Sequence, residues 1–343
     1  MPETPAHLNR RALLRGAAAL GAGIAGAGAL SAGGARAAAV RSASSGHIDL
    51  SQTPKLFWNQ RKLASTDSVM QSFTFDQAEK VLYTAQITAP ATGDLLLTRF
   101  TLGHGDHWTM TGKMNVQFAG HGVAIAAHNG RLWTEADADL AHAGKKEGAF
   151  GRRLASFKFS ENGVNLMPGA QGHGVFHPEA FYLPRTGVDQ YTCAIDPTPG
   201  KERLVTRYRK GTGKTAKHYI EVFTLADALA HRWNDPVFHL LQPDVVGDFQ
   251  GYTAMGNYLY LVSGTAKDVA NPIPPCLYCC DMRTGEVVQS FGTTAGHNLD
   301  HWEPEGLAAY YPSGHTPRLF FGFATGKLHH RTATLYYKDR MTS

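Results

Sequence analysis

A histidine held between two glycines, Gly120-His121-Gly122, is the side chain in this sequence best suited to moving protons. Imidazole exchanges a proton near neutral pH, and the glycines let a ligand or a backbone come close. Arg207 and Arg209 stand two apart in Val205-Thr206-Arg207-Tyr208-Arg209. On a strand they share a face, and paired guanidinium groups suit a carboxylate or a phosphate. Glu135 and Glu305 add carboxylates, Tyr252 a phenol, and Gln71 and Gln250 amides. Trp133 lies on the Glu135 face of its stretch, where an indole either stacks on a sugar or fills a core. His297, His301, Glu303 and Glu305 fall within nine residues, a density that invites a metal. Pro304 interrupts their spacing and no metal-binding motif frames them, so the expectation is no metal and no other cofactor. Phosphate-loop, dinucleotide and nucleophile-elbow signatures are absent from the sequence.

These residues need elements that gather them, and the sequence repeats one element five times. Val123, Ile125 and Ala127 alternate up to Asn129-Gly130, the strongest two-residue hairpin signal, and Leu132 to Glu135 begins the return strand. The same pair of strands recurs, with copies starting near residues 71, 121, 191, 250 and 305. A repeat of this length, made of strands and turns, defines an all-β fold, a five-bladed β-propeller. Outer strands are expected at Leu95–Leu102, His107–Met114, Leu154–Phe159 and His218–Thr224, with a short helix at Leu225–Ala230. The last copy is one strand short, so Pro54–Leu63 is expected to complete it, close the ring and cover an edge. In such a ring the first strand of each blade lines the axis, and the second runs antiparallel beside it. First-strand starts then meet second-strand ends on one face. That geometry assembles Gln71, His121, Tyr191, Gln250 and Glu305 with Gln86, Glu135, Arg207, Arg209 and Ser263. They converge on one ligand, or bond one another and fill a wet channel. Of three Gly-His-Gly triplets, at 103–105, 120–122 and 172–174, only the middle one falls at an axis position.

Domain organisation is simple. Paired arginines at Arg10 and Arg11 precede an Ala/Gly-rich run from Gly16 to Ala32 and small-x-small cleavage signals ending at Ala37 and Ala39. Residues 1–39 are expected to be a twin-arginine export signal, residues 40–53 a linker, and residues 54–343 the propeller. The apolar run is too short and too weakly hydrophobic for a membrane anchor. Residues 1–39 carry four arginines against Glu3, which accounts for +3 of the formal +5 and leaves +2 on the rest. That balance gives no reason to expect nucleic acid or stable membrane insertion, and the expected state is an exported monomer. Cys276 and Cys279 sit on a strand-like run. Three residues there span roughly 10 Å, too far for a disulfide, so buried thiols are expected.

With these residues laid out, the sequence from about Ser51 onward resembles exported actinobacterial proteins of the teichoic acid biosynthesis protein C family. The resemblance is carried by Val69-Met70-Gln71-Ser72-Phe73, Gly120-His121-Gly122-Val123, Leu132-Trp133-Thr134-Glu135 and Val205-Thr206-Arg207-Tyr208-Arg209-Lys210. It continues in Phe249-Gln250-Gly251-Tyr252-Thr253, Glu303-Pro304-Glu305-Gly306 and Phe321-Gly322-Phe323-Ala324. It implies a propeller related to phage propellers that attach to wall teichoic acid, with an anionic cell-wall glycopolymer as ligand. Site chemistry is also similar, more loosely, to propeller lyases that cleave rhamnose–glucuronate chains. That likeness implies His121 as base, Arg207 neutralising the uronate, and Tyr252 or Glu305 as acid.

Overall fold

The structure is a computed structural model that describes residues 46–103, 107–142, 149–168, 178–312 and 316–342. The expected export signal and two of the Gly-His-Gly triplets lie wholly or partly outside them. Blade 1 contains β1-independent strands β2 (Met70–Asp76), β3 (Val81–Ala89), β4 (Asp94–Leu102) and β5 (Trp108–Gln117); β1 itself (Lys55–Lys62) belongs elsewhere. Blade 2 is β6 (Ala126–His128), β7 (Arg131–Ala138) and β8 (Gly151–Lys158), with β9 (Val164–Asn165) reaching back to β5 and β10 (Ala180–Tyr182) closing its edge. Blade 3 is β11 (Asp189–Asp196), β12 (Arg203–Lys210), β13 (Lys217–Thr224) and β14 (Phe238–Leu241), with α1 (Leu225–Leu229) after β13. Blade 4 is β15 (Phe249–Met255), β16 (Tyr258–Ser263), β17 (Cys276–Asp281) and β18 (Glu286–Gly292). Blade 5 is β19 (Glu303–Tyr310), β20 (Arg318–Thr325) and β21 (Thr332–Lys338), and β1 completes it.

The ring closes as the missing strand requires. β1 pairs antiparallel with β21 from Lys55↔Tyr337 to Lys62↔Thr332. The linker expectation is corrected at its end: Ile48 and Leu50 are fully buried, and Ile48 pairs with Met341. Backbone N–H groups of Ile48 and Leu50 donate to Tyr260 Oη and Gln289 Oε1, both at 2.9 Å, so residues 47–52 are clipped onto blade 4. An apolar Ile-x-Leu pair gains more from that seam than from solvent.

Five apolar clusters fill the five seams between neighbouring blades. The first two strands of a blade are therefore covered on both faces: β2 and β16 are buried along their whole length, while β18, on an outer edge, is largely exposed. Cys193, Cys279 and Cys280 are buried free thiols within these seams, Cys276 is half-buried and free, and burial pushes Cys280 up to about 12. Asn129 (φ 49°) and Gly130 (φ 73°) form the left-handed turn that an Asn-Gly hairpin needs. Their N–H groups donate to Asp76 of blade 1 at 3.1 and 2.7 Å, which ties one blade's hairpin to its neighbour's inner strand. Around the axis three strands touch backbone to backbone. A Cβ on Gly251 would lie 2.8 Å from Gly306 Cα, and one on Gly306 would lie 2.9 Å from Ser72 Cα.

Candidate functional site at the axial mouth

Four of the five inner strands begin with a register shift: Met70/Ser72, Asp189/Thr192, Phe249/Gly251 and Pro304/Leu307. A bulge leaves a residue out of the ladder and re-aims its side chain. The residues so released include Gln71, Gln190, Gln250 and Glu305. In blade 2 the corresponding stretch makes no strand until Ala126, although its alternation predicts one from Val123 onward. The cause is Glu135. Its Oε1 accepts from Gly122 N at 2.5 Å and its Oε2 from Gly151 N at 2.7 Å, with the His121 N–H also donating. Those donors would otherwise serve a ladder. Gly120 (φ 151°) is required here because any Cβ would collide with the Glu135 carboxylate.

Glu135, Arg207 and Tyr252 form one electrostatic group at this end of the axis. Glu135 is fully buried, and burial pushes its carboxyl up to about 7 against the pull of its N–H donors and of Arg207. Arg207 is 6% exposed, and burial lowers it to about 10 while Tyr252 and Glu135 act to raise it. Its guanidinium carbon lies 4.1 Å from the Phe249 ring centroid and its Nε donates to Gln242 Oε1 at 2.5 Å. Among the described residues its two terminal nitrogens have no hydrogen-bond partner. Tyr252 is sealed in the core; its hydroxyl accepts from Thr192 Oγ1 at 3.1 Å and donates to Val205 O at 3.3 Å, and burial drives it well above its ordinary range. His121 is half-buried, with its ring stacked on Phe150 at 5.3 Å and 15°.

Other expected site residues lie elsewhere or do other work. Gln71 and Glu305 form a second pair, with Nε2 donating to Oε1 at 3.3 Å. Burial and the neighbouring Glu303 push Glu305 well above the carboxylate range. Gln250 donates to Gly264 O at 3.3 Å. Arg209 and Arg207 do not make one guanidinium site, because Arg209 grips Asp189 through two bonds of 2.8 Å. Trp133 is 1% exposed in the seam between blades 2 and 3, so its ring offers no face to a sugar. Tyr191 is likewise buried, its hydroxyl donating to Arg185 O at 3.0 Å; the bulge presents Gln190 instead. Gln190 Oε1 lies 3.4 Å from His218 Nε2, and burial with Arg207 and Arg209 lowers His218 to about 4.

Second-strand ends prove to be latches. Gln86 Nε2 donates to Ser65 O at 2.9 Å and Ser68 O at 2.7 Å, and Ser263 Oγ donates to Val246 O at 2.6 Å. With Glu135 and Arg209, each grips the segment that leads into its own blade's first strand. In the His297–Glu305 stretch, His301 sits between Asp268 and Glu303, with nitrogen–oxygen distances of 3.0 Å on both sides. Those carboxylates hold its pKa up against burial. His297 is exposed and bonded to Thr294 O at 3.1 Å. Among the described residues no group of three or more such side chains is arranged to hold a metal.

Four four-stranded blades and a fifth extended by β9, set around a polar mouth, define a five-bladed β-propeller. Residues 69–337 match the phage five-bladed β-propeller receptor-binding platform domain, and the chain belongs to that family. It is 25% identical over 297 residues to a Bacillus subtilis (strain 168) protein named for major teichoic acid biosynthesis, protein C, covering 83% of this chain and 62% of that one. The tail fibre of Staphylococcus aureus phage P68 is similar in structure, with a TM-score of 0.60 and 19% identity over 84% of this chain and 52% of the fibre. The chain thus spans less than two thirds of either relative. No helix among the described residues is long and apolar enough to cross a membrane.

Proposed function

We propose that this propeller is a glycan-recognising module that binds an anionic cell-wall or extracellular glycopolymer at the axial mouth. Arg207 carries the reading. A guanidinium that is 6% exposed, held in place by Gln242 and Phe249, keeps its terminal nitrogens for a ligand. Such a fork matches phosphate or carboxylate oxygens, and its low-dielectric setting strengthens the bond. Membership in a receptor-binding family and likeness to a teichoic acid protein support a phosphate-rich polymer. Action outside the cell is part of the same proposal and is supported by the paired arginines Arg10 and Arg11.

Calorimetric titration with a poly(glycerol phosphate) and with neutral dextran tests this. Binding of the phosphate polymer alone is expected, weakened about 10-fold or more by Arg207→Gln, since a hydrogen bond to a charged group contributes ~1.5–3 kcal/mol. Equal binding of dextran, or an unchanged Kd in the variant, overturns it. A uronate lyase is the second reading, favoured by a carboxyl titrating near 7 beside Arg207 and next to His121. Elimination there would use Arg207 to neutralise the uronate and His121 as base. The Tyr252 hydroxyl is engaged on both sides, and Glu305 pairs with Gln71, so neither stands ready as acid, and the leaving glycosidic oxygen would take its proton from water. Ultraviolet absorbance of an unsaturated uronide, lost in His121→Ala, would establish the lyase; its absence with any bound uronate polymer would exclude it.

A further inference from the structure

The seam between blades 5 and 1 opens at its other end, where β2 and β19 finish, into a cavity of about 340 Å³. That is at the small end of the range for ligand pockets, about 300–1,000 Å³, and suits one ring better than a chain. Its walls are aromatic. Phe57 stacks with Trp58 at 5.5 Å and 17°, and meets Phe320 edge-on at 5.0 Å and Trp108 at 6.2 Å. A well-filled core of this composition would have no opening, because aromatic rings gain most by packing against each other.

Two features show that the cavity is more than an apolar void. Trp58 and Trp108 are 7% and 6% exposed, yet neither indole N–H has a hydrogen-bond partner among the described residues. Trp302, by comparison, donates to Ala295 O at 2.7 Å. The two N–H groups are also not sealed from solvent, as that of Trp133 is. At the rim, Arg318 lies 4.7 Å from the Tyr337 ring centroid and forms no salt bridge among the described residues; Asp339, which feels its charge, is bonded to Lys55 at 2.8 Å. Aromatic walls accept the apolar face of a ring, free indoles donate to its oxygens, and a guanidinium with no salt bridge receives an anionic substituent. A purely apolar guest would leave both indole donors unpaired, which is costly.

We propose that this cavity is a second saccharide site, specific for a single sugar ring carrying a carboxylate or a phosphate. It does not depend on the reading of the axial mouth. The test follows the five tryptophan indole signals of the ¹⁵N-labelled protein during titration with D-glucuronate, glucose 6-phosphate and glucose. Trp58 and Trp108 signals should move with one or both anions, at a Kd on the order of millimolar for so small a ligand. Glucose should bind at least ~10-fold more weakly. A response to only one anion identifies which substituent the rim accepts. Arg318→Gln should weaken anion binding about 10-fold, as loss of a charge-assisted bond predicts, and Arg207→Gln should leave it unchanged. The proposal fails if neither indole signal moves, if glucose matches the anions, or if the response depends on Arg207 rather than Arg318. Trp108→Phe, which keeps the wall and removes one donor, should weaken binding with the fold intact; unchanged affinity would remove the indole from the argument.

Discussion

Replacing Glu135 by Gln should flatten the pH dependence of stability. The carboxyl is fully buried, and its pKa rises from 4.5 to about 7 on folding. The folded protein therefore holds this proton more tightly than the unfolded chain does. The stabilisation is fully present below pH ~4.5 and is lost as pH rises through 7. Raising a carboxyl from 4.5 to about 7 corresponds to about 3 kcal/mol. For a folded body of ~300 residues that is a fall in Tm of roughly 4–5 °C between pH 5 and pH 8. Other groups also change their proton affinity on folding. Glu305 and His301, both raised, contribute with the same sign, and His218, lowered to about 4, with the opposite sign. All three remain in Glu135→Gln, so the difference between the two Tm profiles isolates Glu135. The amide also has a cost at every pH. It sets an N–H₂ against one of the N–H donors of Gly122 or Gly151 and loses about 1–3 kcal/mol. The expected result is a variant that melts lower at pH 5 but with a shallower decline toward pH 8. Differential scanning calorimetry at several pH values reads both. Parallel profiles for the two proteins would show that Glu135 does not change protonation near neutrality.

The same titration should be felt by a bound anion. Below pH 7 the neutral Glu135 no longer offsets Arg207, so phosphate-polymer affinity should rise as pH falls from 8 to 6; a Kd that is flat in calorimetry would uncouple the two groups. Removing residues up to 63 takes away Ile48, Leu50, Trp58 and Leu63, all buried, at ~1.5–3 kcal/mol each, and bares β21. That approaches the whole stability of a typical domain, about 5–15 kcal/mol, so the cooperative melting transition should disappear, and its survival near the original Tm would disprove ring closure by β1.

Much of the architecture was legible because it is written in local patterns. Asn129-Gly130 announced its turn, alternation marked the strands, and a last repeat one strand short pointed to Pro54–Leu63, where the strand is Lys55–Lys62. The site was legible only in part, because bulges and blade contacts are not local. Counting from strand starts picked Tyr191, whereas the Asp189/Thr192 shift releases Gln190. Aligning the copies on the polar residue of Gln71-Ser72 and Gln250-Gly251 would have found it. Alternation through Val123–Ala127 read as strand, since nothing nearby says that Glu135 claims the backbone donors just before it. Gln242 and Phe249, which hold Arg207, come from a neighbouring strand end and the next blade; no short motif marks either. Trp133 stayed open between a sugar platform and a core residue because hydrophobicity alone cannot tell a seam from a surface.

Closure by β1 also decides how the ring bears force. Lys55 pairs with Tyr337 and Lys62 with Thr332, so the strands part first at the end nearest Ile48 and Met341. Tension applied across those two residues acts as on a zipper, loading one ladder bond at a time instead of all together. Sheets pulled in that direction yield at lower force than sheets loaded in shear. The side-chain clamps stand where the pull arrives: Asp49 with Arg340 at 2.6 Å, Lys55 with Asp339 at 2.8 Å, and Gln52 with Asp339 at 2.9 Å. A propeller held by both ends thus meets strain first at a polar buckle, and its blades unthread only after that buckle has opened.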